Sequence, residues 1–250
     1  MTLDLIRPGY NRAVRQEPLL HRVVWLLVVA VLVSWPAAAP AQTTDPDPAR
    51  FAAEMRAFAE ADEKTPAPSN AVLFVGSSTI RLWPTAVRFP DLPVINRGFG
   101  GSHISDVNHY VDVTVLKYAP DVVVFYAGDN DIAAGKTPQR VLEDYQRFVG
   151  RVLAAKPETE IVFVAIKPSP SRWTLWPSMR EANALIRTYS GSRPRLHYAD
   201  VVPATLGADG QPRPELFLAD RLHLSPAGYD QWTPVVAEVI AAARRPRSAP

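Results

Sequence analysis

From residue 71 onward, short dense apolar runs alternate with longer stretches whose apolar residues recur every three or four positions. The short runs are AVLFVG (71–76), LPVINRG (92–98), DVVVFYAG (121–128), EIVFVAI (160–166) and RLHYAD (195–200). Several are almost continuously Val, Ile and Phe, as strands are when both faces of a sheet are covered. The longer stretches, 102–118, 138–155, 175–189 and 226–243, carry the helical period. Strand and helix in alternation predict βαβ units, hence a mainly parallel five-stranded sheet between two helical layers, an α/β/α sandwich of flavodoxin-like type. Such sheets bind ligands beyond the carboxyl ends of their strands.

Upstream, PARFAAEMRAFAEADEK (48–64) predicts one amphipathic helix with Phe51, Met55 and Phe58 roughly on one side. Proline-bearing segments flank it, so 42–70 reads as a linker plus helix. The domain proper spans 71–245, with a tail at 246–250. The first 41 residues have a different pattern. Arg7, Arg12, Arg15 and Arg22 precede the apolar run 23–33, and SWPAAAPAQ then places small residues at Ala39 and Ala41. That is the layout of a secretory signal cleaved after Ala41, and the run is well short of the roughly 20 residues of a spanning helix. The expected localisation is export, to the periplasm or beyond. The alternative is an uncleaved segment that anchors the protein to a membrane, with Trp25 and Trp35 at the interfaces.

Composition narrows the function classes. The chain has 250 residues, 47% hydrophobic and 21% charged, which suits one globular core. Its formal charge is +2. Removing residues 1–41 takes away four arginines, Asp4 and Glu17, which brings that charge to zero. Nothing in the mature part favours nucleic acid or an anionic surface. Cysteine is absent, which excludes disulfides, a thiolate nucleophile and cysteine-ligated zinc.

The strand ends carry the chemistry. After the first come Gly76, Ser77 and Ser78; after the second, NRGFGGSHISD (96–106); after the third, GDND (128–131). Before the last helix stands DRLHLSPAG (220–228). There Ser225 and Pro226 predict an N-cap and first helical residue. Asp220, three residues before His223, can bond Nδ1 and leave Nε2 free to take a serine proton. The carboxamide of Asn130 is an uncharged donor suited to a developing oxyanion. Asp129 and Asp131 also fit turn capping. They lack the His or Glu partners a metal site needs, so no metal is expected. The glycines around Phe99 allow close backbone approach. Their G-x-G-G spacing, without a later glycine and acidic partner, does not fit a dinucleotide fingerprint. Each signal alone is weak, but together they supply a nucleophile, a base, an orienting acid and oxyanion donors.

In these blocks the chain resembles the SGNH hydrolase superfamily, the GDSL-type esterases and lipases, over about 71–240. The G-x-S turn of that family implies Ser78 as nucleophile. Ser77 stands where the family name has Asp, which leaves a Ser77 reading to be tested. The second block implies Gly101 as an oxyanion donor, beside the Ser78 N–H and Asn130. The G-x-N-D and D-x-x-H blocks are intact. The GSS, GFGG and AGDND stretches are also similar to bacterial esterases related to the platelet-activating-factor acetylhydrolase branch. An α/β-hydrolase elbow is absent, because Ile80 stands where G-x-S-x-G needs glycine. The resemblance implies a serine acylhydrolase acting on small-molecule, lipid or carbohydrate esters through a Ser78–His223–Asp220 triad, with no cofactor. A deacetylase, lysophospholipase, thioesterase or non-catalytic binding module on the same fold are the alternatives. In the segment KPSPSRWTLWPSMRE (167–181), Arg172, Trp173 and Trp176 are expected to line the cleft, the alternative being that the two tryptophans cover helix packing. His103 is expected either to contact substrate or to cap its helix.

Overall fold

The computed structural model describes residues 44–245; the expectations for 1–41 and for the tail lie outside them. Five strands form one parallel sheet in the order β2-β1-β3-β4-β5: β1 (Val72–Gly76), β2 (Val94–Gly98), β3 (Val122–Tyr126), β4 (Glu160–Val164) and β5 (Leu196–Ala199). This is the doubly wound order of the flavodoxin type, and it reverses direction between β1 and β3. All five strands fall within the predicted runs.

Period-two alternation assigns the strand residues to two cores. Leu73, Val75, Val123, Phe125, Ile161 and Phe163 face one layer. Val72, Phe74, Val122, Val124, Val162 and Val164 face the other. The first layer contains α1 (Ala52–Lys64), α4 (Ile104–His109), α7 (Pro138–Ala155) and α8 (Trp176–Gly191). The second contains α10 (Pro226–Ala243), together with Trp83 and Phe89 from the segment after β1. Shorter helical turns are α2 (Ser78–Arg81), α3 (Thr85–Arg88), α5 (Val111–Thr114), α6 (Asp129–Ala133) and α9 (Val202–Thr205).

The long helices follow their local signals. Thr137 accepts from the Arg140 N–H and Pro138 occupies the first turn of α7, whose buried Val141, Tyr145, Phe148, Val149 and Val152 form one stripe. Ser225 caps α10 in the same way, as predicted. Two predicted helices are broken. The stretch 48–64 begins as a 3-10 turn, Pro48–Phe51, capped by Asp47. Buried Phe51 packs edge-on against Phe99, with ring centroids 4.9 Å apart. The stretch 102–118 divides into α4, α5 and a 3-10 turn, Leu116–Tyr118. Its second half is dense in β-branched Val and Thr, which resist helix. The Thr114 hydroxyl also bonds back to the Tyr110 carbonyl at 2.8 Å.

Candidate active site

The turn after β1 demands glycine. Gly76 has φ +136, and a Cβ there would lie 1.8 Å from the Tyr126 carbonyl oxygen on β3. This close approach lets the Ser77 N–H bond that same oxygen at 2.9 Å. The chain then turns into α2, where Ser78 is the first residue and Ser77 the cap. The two serines differ sharply. Ser77 is fully buried and its hydroxyl has no hydrogen-bond partner. Ser78 is half-buried, and its Oγ lies 3.0 Å from His223 Nε2.

His223 stands on a tight hairpin that ends at α10. Phe217 and Leu224 bridge antiparallel, and the Leu218 N–H bonds the His223 carbonyl at 2.8 Å. Arg221 turns the hairpin with φ 57, an uncommon conformation for a side-chain-bearing residue. Asp220 closes the loop. Its Oδ1 accepts from the N–H groups of Leu222 and His223 at 2.9 and 3.0 Å. Its Oδ2 lies 2.6 Å from His223 Nδ1. The histidine side-chain contact and these two backbone donors hold the Asp220 carboxyl down at about 2. The hairpin is tied to the Gly76–Ser78 turn, because buried Tyr229 on α10 donates to the Thr79 carbonyl at 2.8 Å.

The switch point brings the remaining groups together. Ser78, Gly101, Asn130, Arg172 and His223 line one cleft of about 400 Å³, with Glu54, Arg81, Gly100 and Leu222. Gly101 has φ +80, so glycine is the natural residue at this turn. Asn130 is held at both ends of its amide. Its Nδ2 donates to the Ser102 carbonyl at 3.1 Å, and its Oδ1 accepts from Arg172 Nη2 at 3.0 Å.

Acidic anchors flank Asn130 on both sides. Buried Asp129 contacts Lys167 Nζ at 3.1 Å and Arg172 Nη1 at 3.2 Å. Burial alone would raise its pKa, but the two cations outweigh this and hold it below the usual carboxylate range. Burial would likewise lower the pKa of Lys167, yet Asp129 and Tyr126 raise it, so this lysine stays charged. Asp131 accepts from the Ile104 N–H through both oxygens at 3.2 Å and contacts Lys136 at 2.9 Å. Burial pushes its carboxyl up, to about 6, against the pull of Lys136.

Three residues expected near substrate sit elsewhere. His103 is buried at the start of α4 and is not among the cleft's lining residues. Burial first, and Lys136 second, push its pKa down to about 4. It occupies the N-cap position of α4, where its backbone N–H bonds Asp106 Oδ2 at 2.8 Å. Trp173 lines a separate groove of about 550 Å³ with Trp176, Arg180 and Tyr198. Arg172 does line the cleft. Glu54, Arg81 and Leu222 were not singled out from the sequence, and Gly100 was read only as part of its turn. Arg81 carried a local signal, lying three residues after Ser78 on one helical turn, and Gly100 belongs to the glycine-rich turn around Phe99. Among the described residues no cluster of His, Cys, Asp and Glu has metal-binding geometry.

A model of the GDSL-like lipase/acylhydrolase family matches residues 81–231. Several solved structures share the fold. A candidate platelet-activating-factor protein from Streptococcus pneumonia aligns with TM-score 0.68 at 19% identity, covering 87% of this chain and 98% of that one. A candidate acylhydrolase from Bacteroides fragilis aligns with TM-score 0.68 at 21% identity, covering 77% and 98%. A GDSL-like lipase from Bacteroides thetaiotaomicron aligns with TM-score 0.65 at 19% identity, covering 79% and 98%. No curated protein matches the chain.

Proposed function

The chain belongs to the GDSL-like lipase/acylhydrolase family, and from that premise we propose a serine esterase that works through an acyl-enzyme on Ser78. The carrying observation is His223, whose ring nitrogens lie 3.0 Å from Ser78 Oγ and 2.6 Å from Asp220. The family match begins at Arg81, so the assignment of the nucleophile rests on this geometry. Ser78 Oγ attacks the ester carbonyl while His223 Nε2 takes its proton. The Asp220 carboxylate, ionised at any pH well above 2, holds Nδ1 protonated and stabilises the imidazolium. The carbonyl oxygen gains the negative charge, and the Ser78 and Gly101 N–H groups with the Asn130 carboxamide are its donors. His223 returns the proton to the leaving alcohol. Water, activated by the same histidine, then releases the acid.

The cleft's lining bears on substrate. Glu54, Arg81 and Arg172 are charged, and Leu222 is the one aliphatic side chain among them. A wall of this kind suits a short acyl group on a polar alcohol over a long aliphatic chain. A fluorophosphonate probe is expected to label the protein at Ser78 and to leave the Ser78→Ala variant unlabelled. Labelling that survives in Ser78→Ala would sink the assignment. Across p-nitrophenyl esters, kcat/KM should peak at two to four carbons, about, and fall at longer chains. Acetylated sugars run beside them would separate an esterase from a carbohydrate deacetylase. The apolar run preceded by four arginines and the A-x-A site support export with cleavage after Ala41. Amino-terminal sequencing of the secreted protein should then begin at Gln42, and a start at Met1 would favour the anchored form.

A further inference from the structure

Arg172 lines the cleft, yet its polar contacts run to protein rather than outward. Its Nη2 donates to Asn130 Oδ1 at 3.0 Å and its Nη1 lies 3.2 Å from Asp129 Oδ2. We propose that Arg172 is a positioning residue, which locks the Asn130 carboxamide with its N–H side toward the reacting oxygen. This rests on the esterase reading and extends it to a residue outside the triad and the oxyanion donors.

The reason lies in what an amide can do. An asparagine side chain that flips about its last torsion exchanges a donor for an acceptor at almost no steric cost. In a cleft open to water, the flipped form would place a carbonyl lone pair where an N–H is needed. Two neighbours of Asn130 forbid the flip. Guanidinium groups only donate, so Arg172 tolerates only the oxygen. The Ser102 carbonyl only accepts, so at 3.1 Å it tolerates only the nitrogen. Flipping would set donor against donor at one end and acceptor against acceptor at the other. The second N–H of Nδ2 remains for the oxyanion. A cation on the amide oxygen also polarises the group and strengthens that N–H as a donor.

The clamp is itself anchored to the nucleophile. Asp129 is held by Lys167, which is almost fully buried. Lys167 Nζ also reaches Thr79 Oγ1 at 3.1 Å and Tyr126 Oη at 3.0 Å. Thr79 follows Ser78. A connected series of contacts therefore runs from the residue after the nucleophile, through Lys167, Asp129 and Arg172, to the amide of Asn130. A hydrophobic contact could hold Arg172 in place without fixing the direction of its donors; this series fixes both.

The test is a double-mutant cycle on kcat with a short p-nitrophenyl ester. Arg172→Met should lower kcat about tenfold or more, with KM changed less than about twofold. Arg172→Lys, which keeps a charged donor, should recover part of the loss. In an Asn130→Ala background the same Arg172→Met change should cost less than about twofold, because the group it orients is gone. Equal losses in both backgrounds, or a loss confined to KM, would overturn the proposal and make Arg172 a direct substrate contact. If Arg172→Met does not fold, Arg172→Gln, which keeps an uncharged donor, completes the cycle. The esterase reading fails separately: Asn130→Ala at the parental kcat would remove Asn130 from the oxyanion site whatever Arg172 does.

Discussion

Two adjacent hydroxyls differ only in what surrounds them, and this makes Ser77→Ala and Ser78→Ala an unusually direct pair. Ser77 is fully buried, its hydroxyl has no partner, and it makes no side-chain cap to α2. A buried hydroxyl without a hydrogen bond costs about 1–3 kcal/mol relative to water. Ala keeps the backbone bond from residue 77 to the Tyr126 carbonyl and leaves a gap of one oxygen atom, worth a few tenths of a kcal/mol. Ser77→Ala should therefore be neutral or stabilising by about 1 kcal/mol, a rise of roughly 2–4 °C in Tm for a domain of this size. Its esterase rate should stay near the parental value.

Ser78→Ala should do the reverse. It removes one half-buried hydrogen bond to His223, worth about 1 kcal/mol, so the fold should barely notice. Hydrolysis of p-nitrophenyl acetate should fall by about 10⁴-fold or more. The assay is that rate beside a thermal melt of both variants. A Ser77→Ala protein that lost activity to the same degree, or melted several degrees lower, would refute this account of the turn.

Three further outcomes follow from the contacts. Gly76→Ala should destabilise by at least about 3 kcal/mol in urea titration, because its Cβ would meet the Tyr126 oxygen at 1.8 Å and φ is +136; a loss under about 1 kcal/mol would disprove so close an approach. Asp220 has a folded pKa near 2 against 3.8 for the free group, so whatever stability it adds is complete above 3.8 and is lost as pH falls through 2. With its side chain 47% exposed that contribution is screened, so the measurement is a carboxyl-carbon NMR titration; a midpoint at 3.8 or above would refute the three-contact description. Lys167→Met should cost about 3–5 kcal/mol, since it removes a buried cation from Asp129; an unchanged urea midpoint would show that Arg172 alone suffices.

The strands were legible because each is a short run of four or five residues bounded by turn chemistry, fully buried in β1, β3 and β4, and the parallel sheet followed from their alternation with helices. The helix ends at Thr137–Pro138 and Ser225–Pro226 were legible because a cap is a local event. The break within 102–118 was weakly signalled. The apolar period there is helical, and the β-branched residues that spoil it sit at positions the period also demands. Site residues carried on turns after strands could be read one block at a time. Glu54 could not, because a glutamate in the first turn of a helix reads as solvent-facing, and it reaches the cleft through the packing of Phe51, Met55 and Phe58 against the core. The partners of Arg172 and Lys167 were hidden for a similar reason. A lysine before a proline-rich loop reads as solvent-facing until β3, α2 and α6 close around it.

The GDND turn shows why such hidden partners belong to the site. Neither of its two aspartates lines the cleft. Asp129 is directed to Lys167 and Arg172, and Asp131 to Lys136 and the Ile104 N–H. Asn130 lies between them in the cleft. Buried ion pairs of this kind are poor sources of net stability, since removing the charges from water costs about as much as the pairing returns. They are good at fixing direction, because a displaced partner leaves a charge uncompensated. Asp129 thereby orients Asn130 through Arg172 and ties it to the Ser78–Thr79 turn through Lys167. Asp131 fixes the start of α4, and with it the Gly101–His103 turn, against that same asparagine. The donors assigned to the oxyanion come from three separate strand ends, and the two acids on either side of Asn130 hold those ends in one register.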